Sequence, residues 1–175
     1  MINISYYDSP IGKMLLASKN GKLVGVWIKG QKYYLDQVNE QIQEKEEEIL
    51  QKTRVWLTKY FKGENPRITE LELAPVGSEF RQMVWKLLCE IPYGEVTTYG
   101  ALAEKLAQKM KKSKMSAQAV GGAIAHNPIS IIIPCHRVVG ANGGLTGYAG
   151  GIDKKQELLQ HEKRKELLWE NFQKK

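Results

Sequence analysis

The sequence predicts an α+β protein in two parts. A small N-terminal α/β domain with an antiparallel sheet spans residues 1–74, and a mainly helical C-terminal domain with a helix-turn-helix spans residues 75–175. Three observations support this. Two apolar runs flank an Asn-Gly pair near the N-terminus, which is the pattern of a β-hairpin. The segment LELAPVGSEF around Pro75 has the composition of a linker, and beyond it apolar helical stripes follow capping residues.

The N-terminal half predicts a hairpin and then two helices. KMLLAS and KLVGVWI surround Asn20 and Gly21, a pair that favours a type I′ turn. Residues 33 to about 44 have a polar, helical pattern, and a second helix follows the acidic run 46–48. Gly63 and Pro66 end this second helix. Its predicted apolar side consists of Ile49, Leu50, Trp56, Leu57, Tyr60 and Phe61.

Three capping residues mark the helices of the C-terminal half. Ser78 precedes EFRQMVWKLLCEI, Thr97 or Thr98 precedes YGALAEKLA, and Ser116 precedes AQAVGGAIAHN. The last two helices are short and are separated by the basic loop QKMKKSKM, so we expect a helix-turn-helix.

The charge of the chain is uneven, with the positive excess in the second half. Residues 1–74 carry 11 Lys and Arg against 10 Asp and Glu, whereas residues 75–175 carry 15 against 9. This excess indicates a polyanionic partner, most simply nucleic acid, although solvated surface charge is the alternative.

Composition also predicts where the protein acts. No apolar run approaches the roughly 18 residues that cross a bilayer, and the N-terminus lacks the features of a signal peptide. The two cysteines form no disulfide framework. We therefore expect a soluble, cytoplasmic protein with no membrane partner.

Gly121 and Gly122 stand together inside the last predicted helix, where each glycine costs roughly 1 kcal/mol relative to alanine. Either another helix packs closely there, or this face lies flat against a groove wall or a phosphate backbone. The basic loop before the helix favours DNA, with a solvated loop as the alternative. Its lysines are Lys109, Lys111, Lys112 and Lys114.

The stretch IIIPCHRVVG places Cys135 and His136 after residues 129–133, which we expect to form a buried strand. Three interpretations are open. The pair is structural; or it binds zinc with Cys89, His126 and His161, although the usual ligand spacings are missing; or Cys135 is a nucleophile and His136 its base. In the third case Glu162 or Glu166 is available to orient the imidazole.

The residues from AVGGAIAHNPISIIIPCHRVVG to LLQHE, together with YGEVTTYGALA, resemble the O6-alkylguanine-DNA alkyltransferase family. The resemblance covers the whole second half, where P-C-H-R-V, the preceding N-P, the following Y-x-G-G and L-L-x-H-E occur in family order. It implies irreversible, single-turnover transfer of an alkyl group from O6-alkylguanine in double-stranded DNA to Cys135. O4-alkylthymine is a further possible substrate. Some relatives bind zinc in the N-terminal domain, but no cysteine precedes Cys89, so we expect neither metal nor cofactor.

The resemblance also implies roles for individual residues. His136 acts as the base through a water, Glu162 orients His136, and Asn127 holds the active-site turn. SAQAVGGA becomes the recognition helix in the minor groove, and Tyr99 helps to rotate the target nucleotide out of the duplex. The protein is expected to act as a monomer. The residues implied to contact DNA or the flipped base are Tyr99, Ser116, Ala117, Gln118, Ala119, Gly121, Arg137, Val138, Tyr148 and Ala149.

Two positions depart from the family pattern. Gln118 stands where many relatives have an arginine that fills the gap left by the flipped base, and Ala125 stands where some have a basic residue. Two other functions are open. Alkyltransferase-like proteins bind the lesion without transfer, but they have another residue at the position of Cys135. A cysteine hydrolase would leave the basic helix-turn-helix unused.

Overall fold

The computed structural model describes residues 1–35, 38–145, 147–163 and 169, and its N-terminal part contains a four-stranded sheet in the order β3-β2-β1-β4. β1 pairs antiparallel with β2, β2 pairs antiparallel with β3, and β1 pairs parallel with β4. The predicted hairpin joins β2 to β3, and Asn20 and Gly21 have φ of 52° and 75°, both positive as a type I′ turn requires. The strands are β1 (Ile2–Ser9), β2 (Gly12–Lys19), β3 (Lys22–Ile28) and β4 (Ile42–Glu44).

Helix α1 (Glu48–Phe61) confirms the second predicted helix. It ends just before Gly63, whose φ of 92° suits glycine. The six residues assigned to its apolar side are all buried and join a core shared by the two halves of the molecule.

The predicted helix over residues 33–44 is wrong. The described residues of this segment form turns and the short strand β4. Tyr33 and Leu35 each have φ of 59°, which a right-handed helix does not permit. Tyr33 stacks on His126 with ring centroids 3.7 Å apart, and Tyr34 lies edge-on to Trp27 at 6.4 Å. These tertiary contacts override the weak helical pattern.

The C-terminal part contains four α-helices among its described residues. Three of them have the predicted caps: the hydroxyl groups of Ser78, Thr98 and Ser116 accept hydrogen bonds of 3.2, 3.1 and 3.2 Å from the third residue onward. The second and third of these caps, Thr98 and Ser116, begin the two helices of the predicted helix-turn-helix. The helices are α2 (Glu79–Leu88), α3 (Tyr99–Lys109), α4 (Ala117–Ala125) and α5 (Ile152–Glu162), and a short parallel pair, β5 (Thr97–Thr98) and β6 (Val138–Val139), lies among them.

Residues 129–133 are buried as expected, but the predicted strand is wrong. Ile129 forms only an isolated parallel bridge with Val26, and the following residues turn, with Ile131 at φ 71°. The N–H of Ile133 donates to the carbonyl oxygen of Ile129 at 3.1 Å, which closes the turn locally. An apolar run alone does not distinguish a buried strand from a buried turn.

Backbone hydrogen bonds connect the two halves of the molecule. Val26 of β3 donates to the carbonyl of Pro128 at 2.8 Å and accepts from the N–H of Ser130 at 3.0 Å. The N–H of Lys32 donates to the carbonyl of Ala149 at 3.0 Å. The N-terminal half therefore supports the segments on both sides of Cys135, through β3 before it and through Lys32 after it. Within the described ranges, no helix has the length and apolar character needed to cross a membrane.

Candidate functional site

Cys135 begins a one-turn 3-10 helix, Cys135–Arg137, directly after Pro134, and it is 6% exposed. Burial raises the pKa of its thiol, and neither the hydrogen bond with Asn127 nor the charge of Lys155 offsets this effect. The resting residue is therefore a protonated thiol, and a nucleophilic reaction requires a base to remove its proton.

Asn127 holds the turn that leads to Cys135. Its amide nitrogen donates to the carbonyl oxygens of Ile133 at 2.9 Å and Ile129 at 3.3 Å. Its side-chain oxygen accepts from the N–H of Ile129 at 3.0 Å. One buried amide thus satisfies three backbone groups in a segment that has no regular secondary structure.

His136 and Glu162 form a buried pair, with His136 Nε2 and Glu162 Oε2 2.5 Å apart. Burial lowers the pKa of His136 despite the nearby carboxylate, so the imidazole is neutral at neutral pH. Because the carboxylate accepts, Nε2 carries the proton and Nδ1 carries a free lone pair. Nδ1 is buried and has no hydrogen-bond partner in the described part of the chain.

Glu162 accepts hydrogen bonds from several directions. The Nε of Arg137 and the N–H of Gly94 donate to Oε1 at 2.8 and 3.2 Å, and the Tyr60 hydroxyl donates to Oε2 at 2.6 Å. Burial alone would raise the pKa of Glu162, but its contacts with His136 and Arg137 outweigh that effect and hold the pKa well below its usual value. The carboxylate therefore stays ionised and fixes the orientation of His136.

Arg137 does not occupy the place assigned to it. The family resemblance implies that Arg137 contacts DNA, but its side chain is only 8% exposed. Its guanidinium pairs with Glu162 and donates to the carbonyl oxygen of Ile91 at 2.7 Å. The assignment of its side chain to DNA contact is corrected, because the buried carboxylate of Glu162 takes up its charge.

Two further residues lie near the pair that the sequence did not predict as site residues. Tyr60 was assigned only to the core, and nothing in the pattern indicated that its hydroxyl reaches Glu162. Lys155 is fully buried on α5, with Nζ 5.8 Å from the ring centre of Tyr99. The spacing of Lys155, Leu158 and Glu162 by three and four residues places them on one helix face, a signal that was available in the sequence.

The first half of α4 is exposed. Ser116, Ala117, Gln118 and Ala119 are all exposed. Among the described residues, a Cβ placed on Gly122 would meet no atom within 4 Å, and one on Gly121 would meet Tyr99 Cδ1 at 4.0 Å. Tyr99 of α3 therefore lies beside Gly121 at ordinary van der Waals distance, whereas Gly122 is exposed, so close packing of another helix does not account for Gly122. The four loop lysines are exposed, and Lys109 lies 3.5 Å from Glu90.

The remaining predicted site residues lie around the same turn. Val138 is buried and begins β6, which pairs with the strand that ends next to Tyr99. Tyr148 is buried, and its hydroxyl has no hydrogen-bond partner among the residues that the structure describes. A Cβ on Gly147 would lie 3.4 Å from the Tyr99 hydroxyl. The structure thus brings Tyr99 close to the loop that carries Tyr148 and Ala149.

The alternative zinc ligands are not brought together. His126 stacks on Tyr33, and the Nε2 of His161 lies 2.7 Å from the carbonyl oxygen of Tyr60. Cys89 is half-buried at the end of α2, and burial raises the pKa of its thiol to about 11. In the described ranges, no group of three His, Cys, Asp or Glu residues is arranged to hold a metal ion. Glu166, the alternative to Glu162, lies outside the described residues.

Two family models match the chain. Residues 2–75 match the ribonuclease-like domain of 6-O-methylguanine DNA methyltransferase, and residues 79–164 match its DNA binding domain. A methylated-DNA–protein-cysteine methyltransferase from Haemophilus influenzae is 39% identical over 91% of this chain and 85% of its own length. One from Methanosarcina acetivorans is 45% identical over 89% of this chain and 95% of its own length.

Solved structures of the same family also match the chain. The structure of Mycobacterium tuberculosis OGT in complex with DNA matches with a TM-score of 0.79 and 38% identity, covering 93% of each chain. A structure of O6-methylguanine methyltransferase from the same organism matches with a TM-score of 0.78 and covers 95% of each chain.

Proposed function

The chain belongs to the O6-methylguanine DNA methyltransferase family and is an enzyme of alkylguanine repair in DNA. From this membership we propose that Cys135 is the alkyl acceptor and that each molecule reacts once. The buried thiol of Cys135, followed by a histidine whose Nδ1 is unpartnered among the described residues, carries this proposal. Glu162 and Asn127 complete the catalytic set.

The proposed reaction is a displacement at the alkyl carbon. His136 Nδ1 accepts the proton of the Cys135 thiol through a bridging water, and the sulfur attacks the carbon attached to O6. The S–C bond forms as the C–O6 bond breaks, and guanine leaves with the electron pair and takes up a proton at N1. Cys135 becomes a thioether, which has no electrophilic carbonyl for water to attack. The protein is therefore consumed, one molecule for each lesion.

We propose that the target base is flipped out of the duplex first. A buried thiol cannot reach O6 inside stacked base pairs, and flipping costs only a few kcal/mol, least for a damaged base. The exposed small residues of α4 allow its backbone to approach the floor of the minor groove, and Tyr99 lies next to the loop that would receive the base. The proposed contacts to DNA and base come from Tyr99, Ser116, Ala117, Gln118, Ala119, Gly121, Val138, Tyr148 and Ala149.

Gln118 is the residue proposed to fill the gap left by the flipped base. It is exposed near the start of α4, and its amide is able to hydrogen-bond the orphaned partner base. It carries no charge and has a shorter reach than the arginine of many relatives. We expect slower or weaker flipping, with the same reaction.

The proposal also covers the domain boundary, the cellular location, the oligomeric state and the range of substrates. A domain boundary near residue 75 is supported by the two model ranges, 2–75 and 79–164. A cytoplasmic location is supported by the two free cysteines of the described chain, because free thiols persist in reducing compartments. Action as a monomer and repair of O4-alkylthymine are expectations from the family resemblance.

Mass spectrometry after mixing the protein with a duplex that carries one O6-methylguanine tests the function, with Cys135→Ser as the control. We expect one methyl group on the Cys135 peptide, restoration of guanine, and a yield that stops at one lesion per protein molecule. Tight binding of the lesion without methyl gain would instead indicate a recognition module. Turnover beyond one lesion per molecule would contradict the irreversible step.

A further inference from the structure

Tyr60 connects the N-terminal domain to the His136–Glu162 pair. Its hydroxyl donates to Glu162 Oε2 at 2.6 Å, and the same oxygen lies 2.5 Å from His136 Nε2. Tyr60 belongs to α1, so this donor is 102 residues distant in sequence from its acceptor. One carboxylate oxygen thus receives both the catalytic histidine and a tyrosine from the other domain.

The position of Tyr60 is held from several sides. It is 1% exposed, and its ring packs against Trp56, Phe61 and Tyr93 with centroids 6.1, 5.2 and 6.0 Å away. His161, which directly precedes Glu162, has its Nε2 2.7 Å from the Tyr60 carbonyl oxygen. Consecutive residues of α5 therefore contact the backbone and the hydroxyl of the same tyrosine, which fixes the donor relative to its acceptor.

The hydroxyl of Tyr60 remains a donor throughout the working pH range. Burial, together with the neighbouring Glu162 carboxylate, raises its pKa well above the usual value. The phenol therefore stays protonated, and its O–H withdraws electron density from Oε2. A carboxylate oxygen that is already hydrogen-bonded stabilises a protonated imidazole less strongly.

We propose that Tyr60 of the N-terminal domain is a positioning residue for alkyl transfer, which fixes Glu162 Oε2 against His136 and keeps the imidazole in its neutral, basic form. This inference rests on the proposed function of Cys135 and His136. It gives the N-terminal domain a part in positioning the His136–Glu162 pair.

Removal of the Tyr60 hydroxyl should raise the pKa of His136. In Tyr60→Phe, Oε2 loses a donor and becomes a stronger acceptor, so the pKa of His136 rises. The base must be neutral to accept the thiol proton, so the acid limb of the rate profile moves to higher pH. The substitution removes none of the other ionisable groups around the pair, which are Cys135, Arg137, Lys155, Tyr93, Tyr148 and His161.

The test combines two measurements on the full chain. The His136 titration midpoint is followed by NMR of ¹⁵N-histidine-labelled protein without DNA, and the single-turnover methyl-transfer rate is measured from pH 5 to 9. We expect Tyr60→Phe to raise both the midpoint and the acid limb by about half a pH unit or more, and to slow transfer about three- to tenfold at neutral pH.

Tyr7→Phe is the matched control. Tyr7 is also a buried N-terminal tyrosine whose hydroxyl has a partner, Thr58 Oγ1 at 2.8 Å, but it does not touch the catalytic pair. The control should leave the midpoint and profile at their wild-type values. Equal shifts in both variants, or a slower Tyr60→Phe with an unchanged midpoint, would reduce Tyr60 to a packing residue and overturn the inference.

Two further arms keep the test decisive. If wild-type protein transfers no methyl group, the proposed function fails, whereas the NMR midpoint still reports on the contact between Tyr60 and Glu162. If Tyr60→Phe does not fold, uniform labelling with 3-fluorotyrosine retains the ring and supplies a stronger donor. That labelling should move the His136 midpoint to lower pH, and an unmoved midpoint contradicts the proposal.

Discussion

The side-chain amide of Asn127 donates a hydrogen bond to the carbonyl oxygen of Ile133, 2.9 Å away and six residues later in the chain. Together with its bonds to Ile129, this contact replaces the ladder that a strand would have supplied. One buried polar side chain thus adds three bonds to the backbone hydrogen bonds that shape the residues just before Cys135, which makes the turn sensitive to its substitution.

Asn127→Ala should therefore reduce both stability and transfer. The N–H of Ile129 would lose its acceptor in a buried site, while the carbonyl of Ile133 keeps the N–H of Cys135 at 2.8 Å, so the free energy of unfolding should fall by about 1 to 3 kcal/mol. Urea denaturation measures this loss. Asn65→Ala, at an exposed asparagine, is the control and should change stability little. Equal stability of the two variants would contradict the role given to Asn127.

Glu162→Gln should lose stability in a way that depends on pH. Arg137 would keep a buried charge without its carboxylate, which costs about 3 to 5 kcal/mol at neutral pH. The folded pKa of Glu162 is depressed, so its contribution is present above the ordinary unfolded value of about 4.3 and is lost as pH falls below it.

The measurement for this prediction is the free energy of unfolding of wild type and Glu162→Gln from pH 7 to pH 3. The gap between them should narrow as pH falls through about 4.3. Glu157→Gln, at an exposed position of the same helix, provides the control. A gap of constant size across this range would show that ionisation of Glu162 does not stabilise the fold.

The local features of this structure were predictable from the sequence, whereas the contacts between residues far apart in the chain were not. Ser78, Thr98 and Ser116 cap their helices as predicted because capping depends on residues within one turn. The Asn20-Gly21 turn was predictable for the same reason. Tyr33 instead takes its backbone conformation from a ring 93 positions later, and no local pattern encodes such a partner.

In the candidate site, too, local motifs were predictable and long-range contacts were not. The family motifs point to His136 and Glu162, and the structure places them in contact. Arg137 belongs to the same motif, but its guanidinium turns inward, because Glu162 and the Ile91 carbonyl satisfy it there. The donation from Tyr60 joins α1 to α5, and a hydrophobic pattern records only that Tyr60 is buried.

Gly150→Ala should impair transfer by disturbing Tyr148. A Cβ at Gly150 would lie 2.7 Å from Tyr148 Cε2 and 3.0 Å from Ile28 Cδ1, so the buried ring must shift. Overpacking of this kind costs roughly 1 to 3 kcal/mol. Gly144→Ala is the matched control, since a Cβ there meets no atom of the described residues within 4 Å. Single-turnover rates should fall only in Gly150→Ala, and equal rates would remove Tyr148 from the proposed base pocket.

Gln118→Arg should strengthen DNA binding and speed up transfer. A guanidinium at the start of α4 adds reach and a positive charge, which increases the salt dependence of affinity by about one phosphate contact. Binding to a lesion duplex at several salt concentrations and single-turnover kinetics measure both effects. Gln51→Arg places the same charge at an exposed position of α1 as a control. If Gln118→Arg changes neither affinity nor rate, the role assigned to this position is wrong.

The pairing of β3 has a consequence for the folding of the chain during its synthesis. β3 is an outer strand of the sheet, and its free side is covered by isolated bridges from later segments, Leu23 with Leu73 and Val26 with Ile129. A ribosome-bound chain that has not reached residue 129 therefore presents an apolar strand with unpaired backbone groups, which is a template for aggregation. Completion of the repair site and protection of the nascent sheet from misassembly are the same folding event.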